Sequence, residues 1–169
     1  YEDPAAYAER QARARAIFDK EGGVDVSFKT SGGKTLRGVL VRRKAASGTV
    51  IFCHGFQQDK EKMARYTDLF PHYNQLFFDF RASGASDGTY SSVGCYEYLD
   101  IIAAVDFMKK ANLDGVKPLV LLGVSMGASA AIKAAKHQPY IADALILDSA
   151  YANLYDTIMN VFGKISGLP

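Results

Sequence analysis

Hydrophobic and polar residues follow one another in two different ways along this chain, and the change occurs near residue 48. Before it, a stretch of good helix formers at 4–20 precedes two segments, 24–30 and 35–43, in which apolar and polar positions alternate. Alternation of this kind predicts an antiparallel hairpin. After the change, short unbroken apolar runs are separated by longer amphipathic stretches, which is typical of buried parallel strands covered by helices.

The second pattern predicts four parallel strands with helices between them. The strands are expected at 49–53, 75–80, 118–124 and 144–148, and the helices at 61–70, 96–110 and 126–138. Right-handed crossovers then place the carboxyl ends of these strands at one edge of the sheet. We therefore expect an α/β fold with a mostly parallel sheet, helices on both faces and an N-terminal antiparallel hairpin.

Composition adds limits to this interpretation. The 169 residues are 49% hydrophobic and 22% charged, which is typical of a globular chain, and the net charge is only +2. That balance favours neither nucleic acid nor a membrane surface as a partner. Cys53 lies in an apolar run and is expected to be a buried free thiol, which weakly favours a reducing, cytoplasmic location. We expect residues 1–23 to form an N-terminal helical segment and residues 24–169 to belong to one domain.

The stretch G-V-S-M-G places Ser125 between a buried strand and a helix of small residues. This is a G-x-S-x-G match in the context that the motif requires, a sharp strand-to-helix turn that exposes a nucleophilic serine. Gly123 and Gly127 would be needed because a Cβ at either position would collide with crossing segments. The alternative is a serine that merely caps the helix.

A second feature comes after the strand at 49–53, where the sequence is C-H-G-F. Acyl transfer passes through a tetrahedral oxyanion, which backbone N–H groups stabilise. The N–H groups of Phe56 and Met126 are the candidate donors, from a loop after one strand and from the residue after the nucleophile. His54 is expected to order its loop by hydrogen bonding rather than to act as a base. In the next loop, Asp79 and Arg81 are expected to pair with each other or to anchor neighbouring loops.

With H-G-F, D-F-R-A-S-G-A-S-D-G, G-V-S-M-G and L-I-L-D-S-A in this order, the chain resembles the α/β-hydrolase fold. The subgroup it resembles contains prolyl-oligopeptidase-type serine hydrolases and small bacterial esterases. The resemblance implies Ser125 as the nucleophile, with Phe56 and Met126 as oxyanion donors. One departure is Ala82, since relatives usually carry glycine after the arginine, and we expect only a slightly altered loop there.

The partners that would activate the serine are harder to find. In the family that the chain resembles, the triad runs serine, acid, histidine along the chain. After Ser125 the sequence contains one histidine, His137, and it lies about 18 Å along the following helix, too far to reach the serine. His54 and His72 precede the nucleophile and have other expected roles. Asp148 is expected to cap a helix near 151–162 rather than to be the acid.

The resemblance also implies further strands after 144–148, so we expect this chain to be the N-terminal two-thirds of a hydrolase domain, with the histidine and acid outside it. The expected function is cleavage of a carboxylic ester, thioester or small amide, from a small-molecule or peptide acyl substrate, with no metal or organic cofactor. A non-catalytic binding or scaffold protein and an acyltransferase remain alternatives. A complementing C-terminal chain or a homo-oligomer would cover the open edge of the sheet.

Overall fold

A computed structural model describes residues 3–111, 113, 115–157 and 159 of the chain. Its strands are β1 (Val24–Lys29), β2 (Thr35–Val41), β3 (Gly48–Cys53), β4 (Tyr73–Phe78), β5 (Leu119–Val124) and β6 (Ala144–Asp148). Its helices are α1 (Pro4–Lys20), α2 (Lys60–Met63), α3 (Tyr98–Lys110) and α4 (Met126–His137), and a 3₁₀ helix spans Ala64–Leu69.

The strands form one sheet in the order β1-β2-β4-β3-β5-β6. β2 is antiparallel to both β1 and β4, while β3 pairs in parallel with β4 and β5, and β5 pairs in parallel with β6. The predicted fold class is therefore confirmed, with the hairpin at one side of a mostly parallel sheet. β3 and β5 are neighbours, so the loops after them leave the sheet side by side.

Each face of the sheet supports its own apolar core. Successive side chains of a strand point to opposite faces. Ile51, Leu76 and Leu121 accordingly pack with α3 and α4 on one face. Their chain neighbours Phe52, Phe77 and Leu122 pack with α1 and α2 on the other. Each of these six side chains is almost fully buried, and burial of one contributes roughly 1.5–3 kcal/mol.

The N-terminal helix belongs to the second of these cores. Asp3 caps it by accepting a hydrogen bond from the N–H of Ala6, and Gly22 ends it with a φ of +71° that suits glycine. The ring of Phe18 packs 4.9 Å from that of Phe77, centroid to centroid. The sequence-based bounds of this helix, 4–20, are confirmed.

The segment predicted as a helix at 61–70 is instead one short α-helix followed by the 3₁₀ helix. The N–H of Phe70 donates to the carbonyl of Thr67, three residues earlier, a spacing that belongs to the tighter 3₁₀ geometry. The side-chain amide of Gln75 then donates to the carbonyls of Thr67 and Phe70, at the end of the helix. Pro71 lacks an N–H and cannot extend the helix.

The strand predicted at 75–80 lies two residues earlier, at 73–78. The N–H of Phe80 donates to Nε2 of His54, at 3.0 Å, instead of to a neighbouring strand. The carboxylate of Asp79 similarly accepts hydrogen bonds from loop backbone at Lys60 and Ala85. Hydrogen bonds with His54 and Asp79 therefore take residues 79 and 80 out of the sheet, although the apolar sequence continues to Phe80.

The last predicted helix, near 151–162, falls partly outside the described residues. Its described part contains a helical turn at 154–157, and the side chain of Asn153 caps it by accepting from the N–H groups of Tyr155 and Asp156. The prediction that Asp148 caps this helix was therefore wrong. The Asp148 carboxylate instead accepts a hydrogen bond from the neighbouring Ser149 hydroxyl.

β6 lies at the open edge of the sheet. All five of its residues are exposed, and Leu145, Ile146 and Leu147 are 36%, 44% and 39% accessible. In the described part of the chain, this strand therefore presents apolar side chains and an edge of backbone that pairs with no further strand. Within the described residues, no helix is both long and apolar enough to cross a membrane.

The loop after β4 contains Ala82, the departure from the family pattern. Ala82 adopts a φ of +56°, a region that glycine occupies readily and L-residues avoid. Its N–H donates to the carbonyl of Asp87, which fixes this conformation. The glycine that the family resemblance implies at this position would adopt that backbone angle without strain.

Replacing Ala82 by glycine is expected to raise the free energy of unfolding by about 0.5–1 kcal/mol, because the Cβ strain disappears and only backbone entropy opposes the gain. Urea unfolding of the full-length protein measures it. Ala85→Gly is the matched control, since Ala85 lies in the same loop without a positive φ. It is expected to lower stability, and a loss of stability in Ala82→Gly would contradict the explanation.

Candidate active site

Three loops converge at the carboxyl edge of the sheet. In the register of the parallel strands Cys53 lies beside Gly123, and Val124 lies beside Asp148. β3, β5 and β6 therefore end at the same level, and the segments after them start side by side. The structure thus brings the loop of Phe56 and the turn of Ser125 and Met126 to one edge.

Ser125 stands at the turn between β5 and α4. Its φ of +51° and ψ of −114° lie in a sparsely populated region for a residue with a Cβ, and such strain costs on the order of 1–3 kcal/mol. Its N–H donates to the carbonyl of Asp148, at 2.7 Å, and its carbonyl accepts from the N–H of Ser129. Hydrogen bonds on both sides of the residue therefore hold the strained backbone.

The Ser125 side chain is half-buried, and it makes no capping hydrogen bond to α4. Among the hydrogen bonds of the described residues, none involves its hydroxyl. The structure therefore contradicts the alternative in which this serine merely caps the helix. The hydroxyl is accessible and unpaired within the described part of the chain.

Two glycines make the turn possible by close packing. A Cβ on Gly127 would lie 2.1 Å from the carbonyl oxygen of Cys53, and a Cβ on Gly123 would lie 2.6 Å from the backbone of Ala128. Real Cβ atoms do not approach so closely. The first contact brings the start of α4 against the end of β3, and the second brings α4 against its own strand.

The two candidate oxyanion donors belong to the two segments that meet where Gly127 approaches Cys53. Met126 is the first residue of α4 and 1% exposed, and its N–H is one of the terminal groups that have no acceptor inside a helix. Phe56 is 44% exposed in the loop after β3. Within residues 3–111, 113, 115–157 and 159, no hydrogen bond has either N–H as its donor. Their assignment to an oxyanion hole stays a prediction.

His54 orders the loop, as predicted. Its ring is fully buried, Nε2 accepts from the N–H of Phe80 at 3.0 Å, and Nδ1 therefore carries the proton and donates to the carbonyl of Gly55 at 2.8 Å. Burial lowers the pKa of His54, because the charged imidazolium would lose its hydration. Both ring nitrogens are used, so this neutral imidazole is not available as a base for Ser125.

The other two histidines lie away from the serine. His72 precedes β4 and is exposed at the opposite edge of the sheet, where its carbonyl accepts from Ser47. His137 is the last residue of α4 and stacks on the ring of Tyr98, with 4.4 Å between centroids. The sequence contains three histidines, all described, and none hydrogen-bonds the Ser125 hydroxyl.

Asp79 and Arg81 anchor neighbouring loops and do not pair with each other. Asp79 forms an ion pair with Lys60 at 2.8 Å and tethers the loop after β3 to the loop after β4. Arg81 forms a bidentate ion pair with the buried Asp100 at the start of α3. Of the alternatives that the sequence left open, pairing is therefore wrong and anchoring is correct.

The sequence reasoning missed one buried carboxylate. Glu97 has 0% exposure, and it accepts hydrogen bonds from Ser91, Ser92 and Gly94 in the loop before α3. Burial alone would raise its pKa, but hydrogen bonds from Ser92 and Ser91 outweigh that effect and hold the pKa below its usual value. The signal was present as serines and a glycine just ahead of an acidic residue at a helix start.

A shallow cleft of about 420 Å³ lies beside the loop of Phe56. Its polar lining residues are Tyr7, Arg10, Gln57, Gln58, Asp59 and Ser83, and Arg10 and Asp59 form an ion pair with each other. Ser125 and Met126 do not line this cleft. Among the described residues, no cluster of histidine, cysteine, aspartate and glutamate side chains is arranged to hold a metal ion.

The family model described as serine aminopeptidase, S33, matches residues 44–167, which include the loops after β3, β4 and β5. The chain belongs to this family of α/β hydrolases. Membership of the S33 family confirms the superfamily predicted from the sequence motifs, and it supports a hydrolase.

Among the relatives of this S33-family chain, uncharacterized protein YqkD of Bacillus subtilis is 33% identical over 124 residues, covering 71% of this chain and 40% of YqkD. Uncharacterized protein YfhR of Salmonella typhimurium is 28% identical, covering 95% of this chain and 56% of YfhR. The Pyrococcus furiosus esterase Pf2001 superposes with a TM-score of 0.79 at 28% identity, covering 90% of this chain and 62% of that structure. The chain thus spans about half the length of the curated relatives it matches.

Replacing Gly127 by alanine is expected to lower the free energy of unfolding by about 2–3 kcal/mol, because the new Cβ would overlap the Cys53 carbonyl and force the two segments apart. Thermal and urea unfolding measure the loss. Gly32→Ala is the matched control, since its Cβ would have only Thr30 Oγ1 nearby, at 3.8 Å. Equal stability of the two variants would contradict the close approach.

Because His54 is buried in its neutral form, we expect the free energy of unfolding to depend on pH. Its pKa is depressed in the folded state, so the unfolded chain takes up the proton first as the pH falls below about 6.5. Stability is therefore complete above that pH and is lost on acidification, by up to about 1.4 kcal/mol per pH unit. Urea unfolding between about pH 7.5 and 5.5 should show a smaller loss for His54→Gln than for the wild type. The exposed-site control His72→Gln should keep the wild-type slope, and an unchanged slope in His54→Gln would contradict this account.

Proposed function

We propose that this protein is a serine hydrolase that cleaves a carboxylic ester, thioester or small amide through an acyl-enzyme on Ser125. The observation that carries the proposal is the Ser125 turn itself. A residue held at positive φ, with an accessible hydroxyl that caps nothing, is a costly arrangement for a merely structural serine. Strained residues of this kind cluster at active sites.

In the proposed reaction, Ser125 Oγ attacks the carbonyl carbon of the substrate and loses its proton to a histidine. The resulting tetrahedral oxyanion collapses, the bond to the leaving group breaks, and the histidine returns the proton to the leaving alcohol, thiol or amine. Water then repeats the sequence on the acyl-enzyme, which releases the acid and regenerates the serine. No cofactor enters these steps.

The N–H groups of Phe56 and Met126 are the proposed oxyanion donors. Removing one donor from such a pair typically costs about 2.7–4 kcal/mol of transition-state stabilisation. The packing of Gly127 against the Cys53 carbonyl supports this assignment, because it keeps the two donor-bearing segments in contact. The N-terminal end of α4 adds partial positive charge near the same point.

The proposed base is a histidine outside residues 1–169, oriented by an acid that also lies outside them. The support is the position of the three histidines that the sequence contains, since each is engaged or distant. An unactivated serine is a weak nucleophile, so the described part alone would have little activity.

The proposed substrate class rests on likeness to the family and to a solved structure. The structural neighbour Pf2001 is named as an esterase, and the family is described as serine aminopeptidases. Both names denote enzymes that break acyl bonds.

A second candidate is a non-catalytic binding protein that keeps the turn without a functional triad. The observation in its favour is the one that leaves Ser125 without a base, since no described histidine reaches the hydroxyl. The two candidates differ in the reactivity of a single side chain, so one labelling experiment separates them.

Treatment of the full-length protein with a fluorophosphonate probe is expected to modify Ser125, because an activated serine attacks the phosphorus and releases fluoride. In-gel fluorescence and peptide mass spectrometry measure the label. Ser125→Ala should abolish labelling. The control Ser31→Ala, at an exposed serine of the β1–β2 turn, should label as the wild type does.

No labelling under conditions that label a known serine hydrolase would overturn the proposal in favour of the binding protein, as would labelling at a different serine. Where Ser125 does label, product analysis with an added alcohol separates the two acyl-enzyme reactions. Free acid as the main product supports a hydrolase, and transfer to the alcohol as the main product identifies an acyltransferase instead.

A further inference from the structure

The loop between β4 and α3 is organised by the buried carboxylate of Glu97. Oε1 accepts from the hydroxyl of Ser91 and the N–H of Ser92, both at 2.8 Å. Oε2 accepts from the hydroxyl of Ser92 at 2.5 Å and from the N–H of Gly94 at 2.8 Å, with a longer contact to the N–H of Tyr96. All of these donors belong to the loop, so the carboxylate holds the loop in its conformation.

The loop does not adopt its conformation unaided. Val93 has a φ of +50°, which is an outlier for a β-branched residue, and Gly94 has a φ of +90°. The hydroxyl of Tyr151 donates to the carbonyl of Val93 from the other side. Hydrogen bonds to Glu97 on one side and from Tyr151 on the other therefore stabilise the strained backbone of this loop.

One member of this network reaches the candidate active site. The Oγ of Ser91 lies 3.6 Å from Sδ of Met126, while its hydrogen goes to Glu97 and it accepts from the N–H of Val93. Met126 is buried and begins α4, so its side chain has little freedom to move away from this contact. Ser91 therefore packs directly on the residue whose N–H is the proposed oxyanion donor.

We propose that Ser91, held by Glu97, is a positioning residue that fixes the side chain of Met126 and thereby aims the Met126 N–H at the oxyanion. This inference rests on the proposed function. It extends that function by assigning the loop before α3 a role in the reaction. A donor stabilises a transition state only when it is aligned beforehand, so loss of the contact weakens the transition state more than the bound substrate.

Ser92 provides a matched control within the same loop. Its hydroxyl donates to the same carboxylate and accepts from the N–H of Tyr96, but among the described residues it makes no hydrogen bond with Met126. If Glu97 and its serines only maintained the fold, Ser91→Ala and Ser92→Ala would have similar consequences. If Ser91 acts through Met126, the two variants differ.

The experiment compares fluorophosphonate labelling rates, kcat and KM on an activated ester for the full-length wild type, Ser91→Ala and Ser92→Ala. Melting temperatures are measured alongside, and the rates are taken where all three proteins are folded. Ser91→Ala is expected to lower the labelling rate and kcat about tenfold with KM unchanged. This loss is smaller than the roughly 10²–10³-fold loss of kcat that follows removal of a whole oxyanion donor, because the Met126 N–H is still present but less well aligned. Ser92→Ala is expected to stay within about twofold of the wild type.

A second variant tests the route through the sulfur. Met126→Leu keeps a side chain of similar size but removes the atom that Ser91 contacts, so it is expected to slow labelling as Ser91→Ala does. The double variant should be no slower than the slower single variant, because both remove the same contact. Additive losses in the double variant would overturn the proposal.

The outcomes also separate this inference from the proposed function. A wild type that does not label contradicts the proposed function itself. A wild type that labels, together with Ser91→Ala and Ser92→Ala that slow it equally, or with Ser91→Ala within about twofold of the wild type, leaves the serine hydrolase intact and overturns only the positioning role.

Discussion

The absence of a side chain at Gly127 is the constraint on which the candidate site depends. With only hydrogen there, the first turn of α4 lies against the carbonyls of Cys53 and His54, so two loops that are distant in sequence share one edge. The same approach forces Ser125 into its strained conformation, because β5 must turn into α4 without room for a longer loop. Strain at the serine and contact between the loops are therefore two consequences of one packing event.

Polar side chains, rather than apolar packing, hold the loops around this contact. His54, Asp79 and Glu97 are all fully buried, and each accepts hydrogen bonds from backbone N–H groups of loops at the carboxyl edge. A buried acceptor is costly unless it is satisfied, so each loop is fixed in the one arrangement that satisfies it. The apolar core positions the strands, and these polar anchors position the loops that connect them.

This division explains how far the sequence could predict the structure. The parallel strands and the turn at Ser125 are indicated by apolar periodicity and by glycines next to the serine, both of which are local signals. The early end of β4, the 3₁₀ helix and the role of Glu97 depend on contacts that form only in the folded chain, such as His54 with Phe80, and Gln75 with Thr67. Ala82 was recognised as a departure, but its positive φ is a property of the folded loop. The oxyanion assignment stays a prediction, since it concerns a point in space that only a bound substrate defines.

The open strand β6 and the unpaired hydroxyl of Ser125 are neighbours in the described part of the chain. The N–H of Ser125 donates to the carbonyl of Asp148, the last residue of β6, and the register places Val124 directly beside it. A parallel strand on the free side of β6 would lie about 4.8 Å beyond it, and the loop after that strand would leave the sheet at the same end as the Ser125 turn. Pairing there would satisfy the exposed backbone groups of β6. Under the proposed function, we therefore expect that what pairs with this edge also affects the surroundings of Ser125, because Asp148 is hydrogen-bonded to the serine backbone.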